Sequence, residues 1–314
     1  MRDIAPLPLL RPIFRLPSLS LRRFPLLGLP LLLLYPAAYA ATCLHHLLPA
    51  RAAAWSATIA LTLLLAAGLP TIWLIAVSGL HHIGIDSPLA DWSQHLLPTA
   101  GPTGALIGLG ASLLTAVGLV RARRVLRLHS QLRSSATSAG PEVLPSPAVF
   151  AYTQPGPKGN IVLSDGLIDA LTDSECSAVL AHERSHVRHR HDRHLLLAKL
   201  SVAFLPIARH LADRLEYSLE RWADQDAAVE LGDSRLVAKA IARVALVGTH
   251  PTPLVPGIAR LGSAARAHAL LEPRPALPPA LFAALVSTAA FAIAVLSSAL
   301  QIHHTLQFGA SLFP

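Results

Sequence analysis

The chain has 314 residues, is 53% hydrophobic and only 14% charged, and carries a net charge of +8. Soluble domains are about 25% charged, so a wholly soluble protein is excluded, and the apolar content excludes a disordered one. The charge is unevenly placed: residues 24–120 carry only Arg51, Asp86 and Asp91, residues 275–314 carry none, and most of the rest falls between Arg121 and Arg274. This reads as membrane flanks around one water-facing module of ordinary domain size.

Residues 1–23 hold Arg2, Arg11, Arg15, Arg22 and Arg23 among prolines and read as a basic leader. With the apolar run after it, the leader also fits a signal peptide, with Ala38-Tyr39-Ala40 as a cleavage site. Four runs reach the roughly 20 apolar residues that cross a bilayer: 24–44, 56–80, 101–120 and 277–300. The third stops at Arg121-Ala122-Arg123-Arg124, a basic interfacial end. Residues 121–147 then read as a juxtamembrane segment and linker, rich in Ser, Pro and Ala from 134 onward. The basic balance fits Arg clusters beside membrane spans. It comes with no nucleic-acid motif and no aromatic interleaving, so no direct nucleic-acid contact is expected. Cys43 and Cys176 form no disulfide framework and no cysteine metal site.

The water-facing module spans 148–274. Two strand-like runs, 148–153 and 161–163, flank a turn-rich stretch and predict a β-hairpin. Helical patterns follow at 167–171, at 174 to about 200 with Asp173 or Ser174 as cap, from Pro206 to about 231 ending at Gly232-Asp233, and at 234–247. The apolar run 195–207 is too short to span and reads as a core helix. The expected fold is an α-helical membrane protein with an inserted α+β module, mostly helical with a small sheet.

His182-Glu183-Arg184-Ser185-His186 is an H-E-x-x-H pattern. On a helix His182 and His186 share a face and can bind one zinc ion, with Glu183 beside the open position as general base for a zinc-activated water. A catalytic zinc needs a third protein ligand. Glu220 and Asp224, four apart on a later helix, offer a ligand and a residue that orients a histidine. Asp192, six residues after His186, competes for that place. It would need a sharp turn at His189 where the pattern continues as helix, so an ion pair with a nearby Arg is expected instead. His189 and His191 are expected to be solvated or stacked on that helix, with substrate or oxyanion contact as a lesser role.

The stretches 161–171 and 180–192 and the motif Glu220-Arg221-Trp222-Ala223-Asp224 together resemble the M56 membrane metallopeptidases, which include the β-lactam sensors BlaR and MecR and are related to the M48 peptidases of the Ste24 and HtpX type. The resemblance covers about residues 148–248. It implies a gluzincin-type zinc metalloendopeptidase between the third and fourth spans, with zinc held by His182, His186 and Glu220, Glu183 as base and Asp224 in support. It implies a protein or peptide substrate, a transcriptional repressor among the candidates, and contact with membrane lipid. The extracellular sensor of BlaR and MecR has no counterpart here, so antibiotic sensing is not implied. Arginines before the first span nearly balance those of the Arg51 and Arg121–Arg133 side. The resemblance therefore decides for a cytosolic module in a bacterial plasma membrane. Competing expectations are a catalytically silent zinc scaffold, which has no need of Glu183, and a channel or transporter, which needs more ionisable residues in its spans.

Overall fold

The computed structural model describes residues 48–81, 102–134, 140–156, 159–247 and 262–272, with residues 35, 36, 38 and 39. The expected fourth span, the basic leader, Cys43 and all of the expected first span except residues 35, 36, 38 and 39 lie outside the described residues.

Helix α1 runs Ala50–His81 and α2 Pro102–Ser134. Both contain segments long and apolar enough to cross a membrane, 28 residues over Ala50–Val77 and 30 over Ala105–Ser134. Small residues at helical spacing on α1, namely Ala50, Ala53, Ala54, Ala57 and Ala60, are buried and allow close approach of neighbours, while Trp55, Ile59 and Trp73 face outward. Helix α2 does not stop at the basic cluster but continues through it to Ser134. Arginine is a good helix former, so a charge cluster ends an apolar run without ending the helix. At about 1.5 Å per residue the part beyond Val120 adds about 20 Å.

The sheet has three strands in the order β1-β3-β2: β1 is Glu142–Leu144, β2 Ala151–Gln154 and β3 Asn160–Ser164. Strands β2 and β3 form the expected hairpin, with Thr153 opposite Ile161. Strand β1 lies in the stretch read as linker. It pairs in parallel with β3, Val143 opposite Leu163, and Asn160 Nδ2 donates to Glu142 Oε2 at 3.1 Å. No local pattern announces a three-residue strand whose partner is that far along the chain.

Helix α3 covers Asp165–Ala170 and α4 Asp173–His189. Thr172, not Asp173 or Ser174, caps α4: its hydroxyl accepts from Glu175 N–H at 3.3 Å, and Glu175 Oε2 accepts from Thr172 N–H at 3.0 Å. The helix expected to reach about residue 200 breaks at Arg190, the one described non-glycine residue at positive φ (54°). Its N–H bonds to the carbonyls of His186 and Val187 and closes α4, and α5 starts afresh over His191–Phe204. A 3-10 turn at Pro206–Ala208 leads into α6, Arg209–Leu231, which ends at Gly232 with φ 70°. Helix α7 is Ser234–Val247 and α8 Ser263–Leu271.

Three apolar clusters hold these elements. One joins α1 to α5 and α6 through Leu61, Leu64, Leu211, Leu215 and Trp222. A second joins the sheet to α3, α4 and α7 through Leu163, Leu167, Val179 and Val244. The third packs α4, α6 and α7 through Ala181, Ala227 and Ile241. The run at 195–207 is thus a core helix and a turn. Gly118 lets α2 approach α5, since a Cβ there would sit 2.6 Å from Phe204 Cδ1.

A buried His-His-Glu centre as the candidate active site

Helix α4 presents His182, Glu183 and His186 toward α6, which presents Glu220 and Asp224. All five are on periodic positions of helices whose other faces build the clusters above. Among the described residues, His182, His186 and Glu220 form a group whose ligand atoms all lie within 4.8 Å of one another. The two Nε2 atoms are 3.1 Å apart. Glu220 Oε2 is 3.6 Å from His182 Nε2 and Glu220 Oε1 is 3.5 Å from His186 Nε2. Ligand atoms around a tetrahedral zinc with bonds of about 2.0–2.1 Å lie about 3.3–3.4 Å apart. The donor set and its spacing therefore fit zinc.

The opposite ring atoms are held too. His182 Nδ1 donates to Asp224 Oδ1 at 2.9 Å, and His186 Nδ1 lies 2.9 Å from His191 Nδ1. Asp192 stands outside the cluster and pairs with Arg190, Nε to Oδ1, at 3.5 Å. The backbone does turn sharply at Arg190, one residue past the position where a third ligand on Asp192 would need it. His189 donates to Asp226 at 2.8 Å and lies over Trp222, 4.5 Å between ring centroids. Of the two expected settings, solvated or stacked, His191 takes the stacked one, against His189 with Trp222 alongside, and it is fully buried at the start of α5, just past the break at Arg190.

Charge balance explains how so many ionisable groups stay buried. Arg266, on α8 and 0% exposed, donates to both oxygens of Asp224 at 2.7 and 2.8 Å and pairs with Glu220 Oε2 at 2.8 Å. Burial disfavours the charged forms of Glu220 and Asp224, but Arg266 and the histidines outweigh it and hold both below the usual carboxylate range. Burial also opposes a charged His182, yet its hydrogen bond to Asp224 and the nearness of Glu220 push its pKa up to about 10. Burial pushes that of His186 down to about 4.

Glu183 is also buried, and burial pushes its pKa up. Thr153 on β2 donates to Glu183 Oε2 at 2.6 Å. The site opens into a groove between β2 and the basic half of α2, walled by Val125, Leu128 and Leu132 on one side and Tyr152 and Gln154 on the other, with Leu195 and Leu196 of α5 at its side.

Arg266, Thr153 and the buried setting of His191 are absent from the sequence reading. Arg266 left one trace, a lone cation in the alanine-rich stretch 264–269. Thr153 left none.

No curated protein and no solved structure matches the chain. Residues 121–249, from the basic turns of α2 to just past the end of α7, match the sequence model of Peptidase family M48, whose members are zinc-dependent, and the match indicates a metallopeptidase.

Proposed function

We propose that the protein is a membrane-anchored zinc metalloendopeptidase that cleaves a protein or peptide substrate. The observation that carries this reading is the convergence of His182 Nε2, His186 Nε2 and Glu220 at 3.1–3.6 Å, with Glu183 on the next position of the same helix. His182, His186 and Glu220 would hold the ion, and Asp224 would orient His182. Zinc, when bound, supplies Lewis acidity, lowering the pKa of water and polarising a carbonyl. Glu183 takes the proton of the attacking water on a carboxylate oxygen and passes it to the leaving amine nitrogen. Burial makes it a stronger base than an exposed glutamate, and Thr153 fixes its rotamer.

Strand β2 has β3 on one side only among the described residues, so its other edge is open to an extended peptide by strand addition. A peptide lying there would set an apolar side chain against Leu128 and Leu132. The exposed apolar residues of α2, Leu106 at 70% and Leu113 at 66%, favour lipid contact for its first half. The layout of spans around the module favours the narrower kinship with the M56 enzymes and a cytosolic site in a bacterial plasma membrane. Regulatory cleavage, of a repressor for example, follows from that kinship.

The test is zinc per chain and cleavage of casein and of the protein itself, for the purified full chain beside Glu183→Gln. About one zinc in both, with cleavage only in the wild type and lost on chelation, is the expected result. Zinc without cleavage in a wild-type chain supplied with many peptides would favour the silent scaffold. No zinc would overturn both.

A further inference from the structure

The pair His186–His191 is the feature of the site that its proposed chemistry has not used. A ligand histidine ordinarily donates its second N–H to a carboxylate, a backbone carbonyl or water, which fixes its tautomer and its aim. Asp224 does this for His182. For His186 the partner is another imidazole: the two Nδ1 atoms are 2.9 Å apart and the rings meet nearly at right angles, 87° between planes. One proton lies between the two nitrogens. If it belonged to His191, the proton of a neutral His186 would sit on Nε2, facing His182 Nε2 and Glu220. If it belongs to His186, Nε2 of His186 presents a lone pair to those same groups.

Resting on the metal-centre reading above, we propose that His191 is a positioning residue for the zinc site, accepting the Nδ1 proton of His186 on its own Nδ1 and so keeping His186 Nε2 free and aimed at the ion. Three observations beyond the distance support it. His191 is 0% exposed, so water does not take over the acceptor role. Its ring is fixed from several sides: Trp222 lies 4.8 Å away, His189 stacks at 5.9 Å and His194 meets it edge-on at 6.3 Å. The other ring nitrogen of His191, Nε2, is buried with no hydrogen-bond partner among the described residues in either tautomer, so the ring's polar contact there is made through Nδ1, to His186. An imidazole placed for packing alone gains nothing from such an arrangement. The backbone contributes as well, since Arg190, at φ 54°, is the residue that turns His191 back toward His186.

A consequence is asymmetry between the two ligands. His182 is backed by an anion, itself neutralised by Arg266, whereas His186 is backed by a neutral acceptor. The donor set therefore brings one carboxylate, Glu220, to the ion.

His191→Asn and His191→Leu test this. Asn carries Oδ1 on Cγ, where His carries Nδ1, and Leu has nearly the same shape with no acceptor. Both leave the same gap, so their difference reads the hydrogen bond and not the packing. The full-length protein in detergent is titrated with zinc against a chromophoric chelator, and the visible spectrum of its cobalt form is recorded. Thermal unfolding checks that each variant is folded. Expected is a 10–100-fold loss of zinc affinity and an altered cobalt spectrum for His191→Leu, with His191→Asn within about threefold of wild type and its cobalt spectrum preserved. Wild-type affinity and spectrum in His191→Leu overturn the proposal, as does equal weakness of the two variants. Should His191→Leu not fold, the Asn variant alone decides: a tenfold or greater loss there overturns it. A wild-type chain that binds no zinc overturns the metal centre and this role together. A wild-type chain that binds zinc but cleaves nothing removes the peptidase reading and leaves the role of His191 to the titration.

Discussion

Arg266 grips Asp224 with two parallel hydrogen bonds, 2.8 Å from Nε to Oδ2 and 2.7 Å from Nη2 to Oδ1, and neither side chain reaches solvent. The same guanidinium reaches Glu220 at 2.8 Å, so one residue of α8 pairs with two carboxylates of α6 and ties the helices together. This planar, two-pronged geometry is specific to arginine.

Arg266→Met should therefore do more harm than the loss of one contact. It leaves two carboxylates buried against each other with only histidines to balance them. Breaking a buried pair by removing one partner costs about 3–5 kcal/mol. Denaturant unfolding of the metal-free protein in detergent measures the loss, and a change under about 1 kcal/mol would contradict the charge balance described here.

Thr153→Val keeps the shape of β2 and removes the hydroxyl that donates to Glu183. A hydrogen bond to a charged group is worth about 1.5–3 kcal/mol. If Glu183 is the base, kcat should fall about 10–100-fold with zinc content unchanged. The hydrogen bond favours the ionised carboxylate, so its loss should also move the acid limb of the pH profile to higher pH. A purely structural Thr153 would lower stability and leave that limb in place.

Glu175 couples the start of α4 to pH. The backbone N–H of Thr172, chiefly, and Lys239 at 3.2 Å favour its ionised form against burial, and its pKa lies below the ordinary 4.5. A depressed carboxylate stabilises the fold above its unfolded pKa, and that stability is lost as pH falls through the folded value. Glu175→Gln should be the less stable protein at pH 7, and the two melting curves should converge on acidification below about pH 4.5. Thr172→Ala, which removes the reciprocal cap, should cost about 1 kcal/mol at neutral pH.

Arg190 holds a left-handed conformation that costs a non-glycine residue about 1 kcal/mol. Arg190→Gly loses a half-exposed ion pair with Asp192 but relieves the backbone. Its melting temperature should rise by about 1–3 °C, with zinc binding retained. A fall in melting temperature would mean that the ion pair outweighs the strain.

The H-E-x-x-H helix, the Glu220 and Asp224 helix, the turn at Pro206 and the stop at Gly232 were legible because each depends on local spacing or on one residue's backbone preference. The hairpin of β2 and β3 was legible for the same reason. The break at Arg190 was not, since neither Gly nor Pro marks it and the carbonyls of His186 and Val187 secure it. The extension of α2 to Ser134 was hidden because a change from apolar to basic residues resembles a boundary and is only a change of surroundings.

By itself the sequence determined the chemistry on offer: two imidazoles and a carboxylate at helical spacing, an acidic pair four residues apart on a later helix, and apolar runs long enough for a bilayer. Spacing along one helix fixes which side chains share a face, so no tertiary information is needed for that much. Tertiary structure decided what surrounds those groups. Arg266 reaches them from a helix 42 residues beyond Asp224, Thr153 from a strand 30 residues before Glu183, and His191 through the helix break at Arg190. Buried charges must find opposite charges and directed hydrogen bonds wherever the packed elements supply them. That search is non-local, and periodicity carries no record of it.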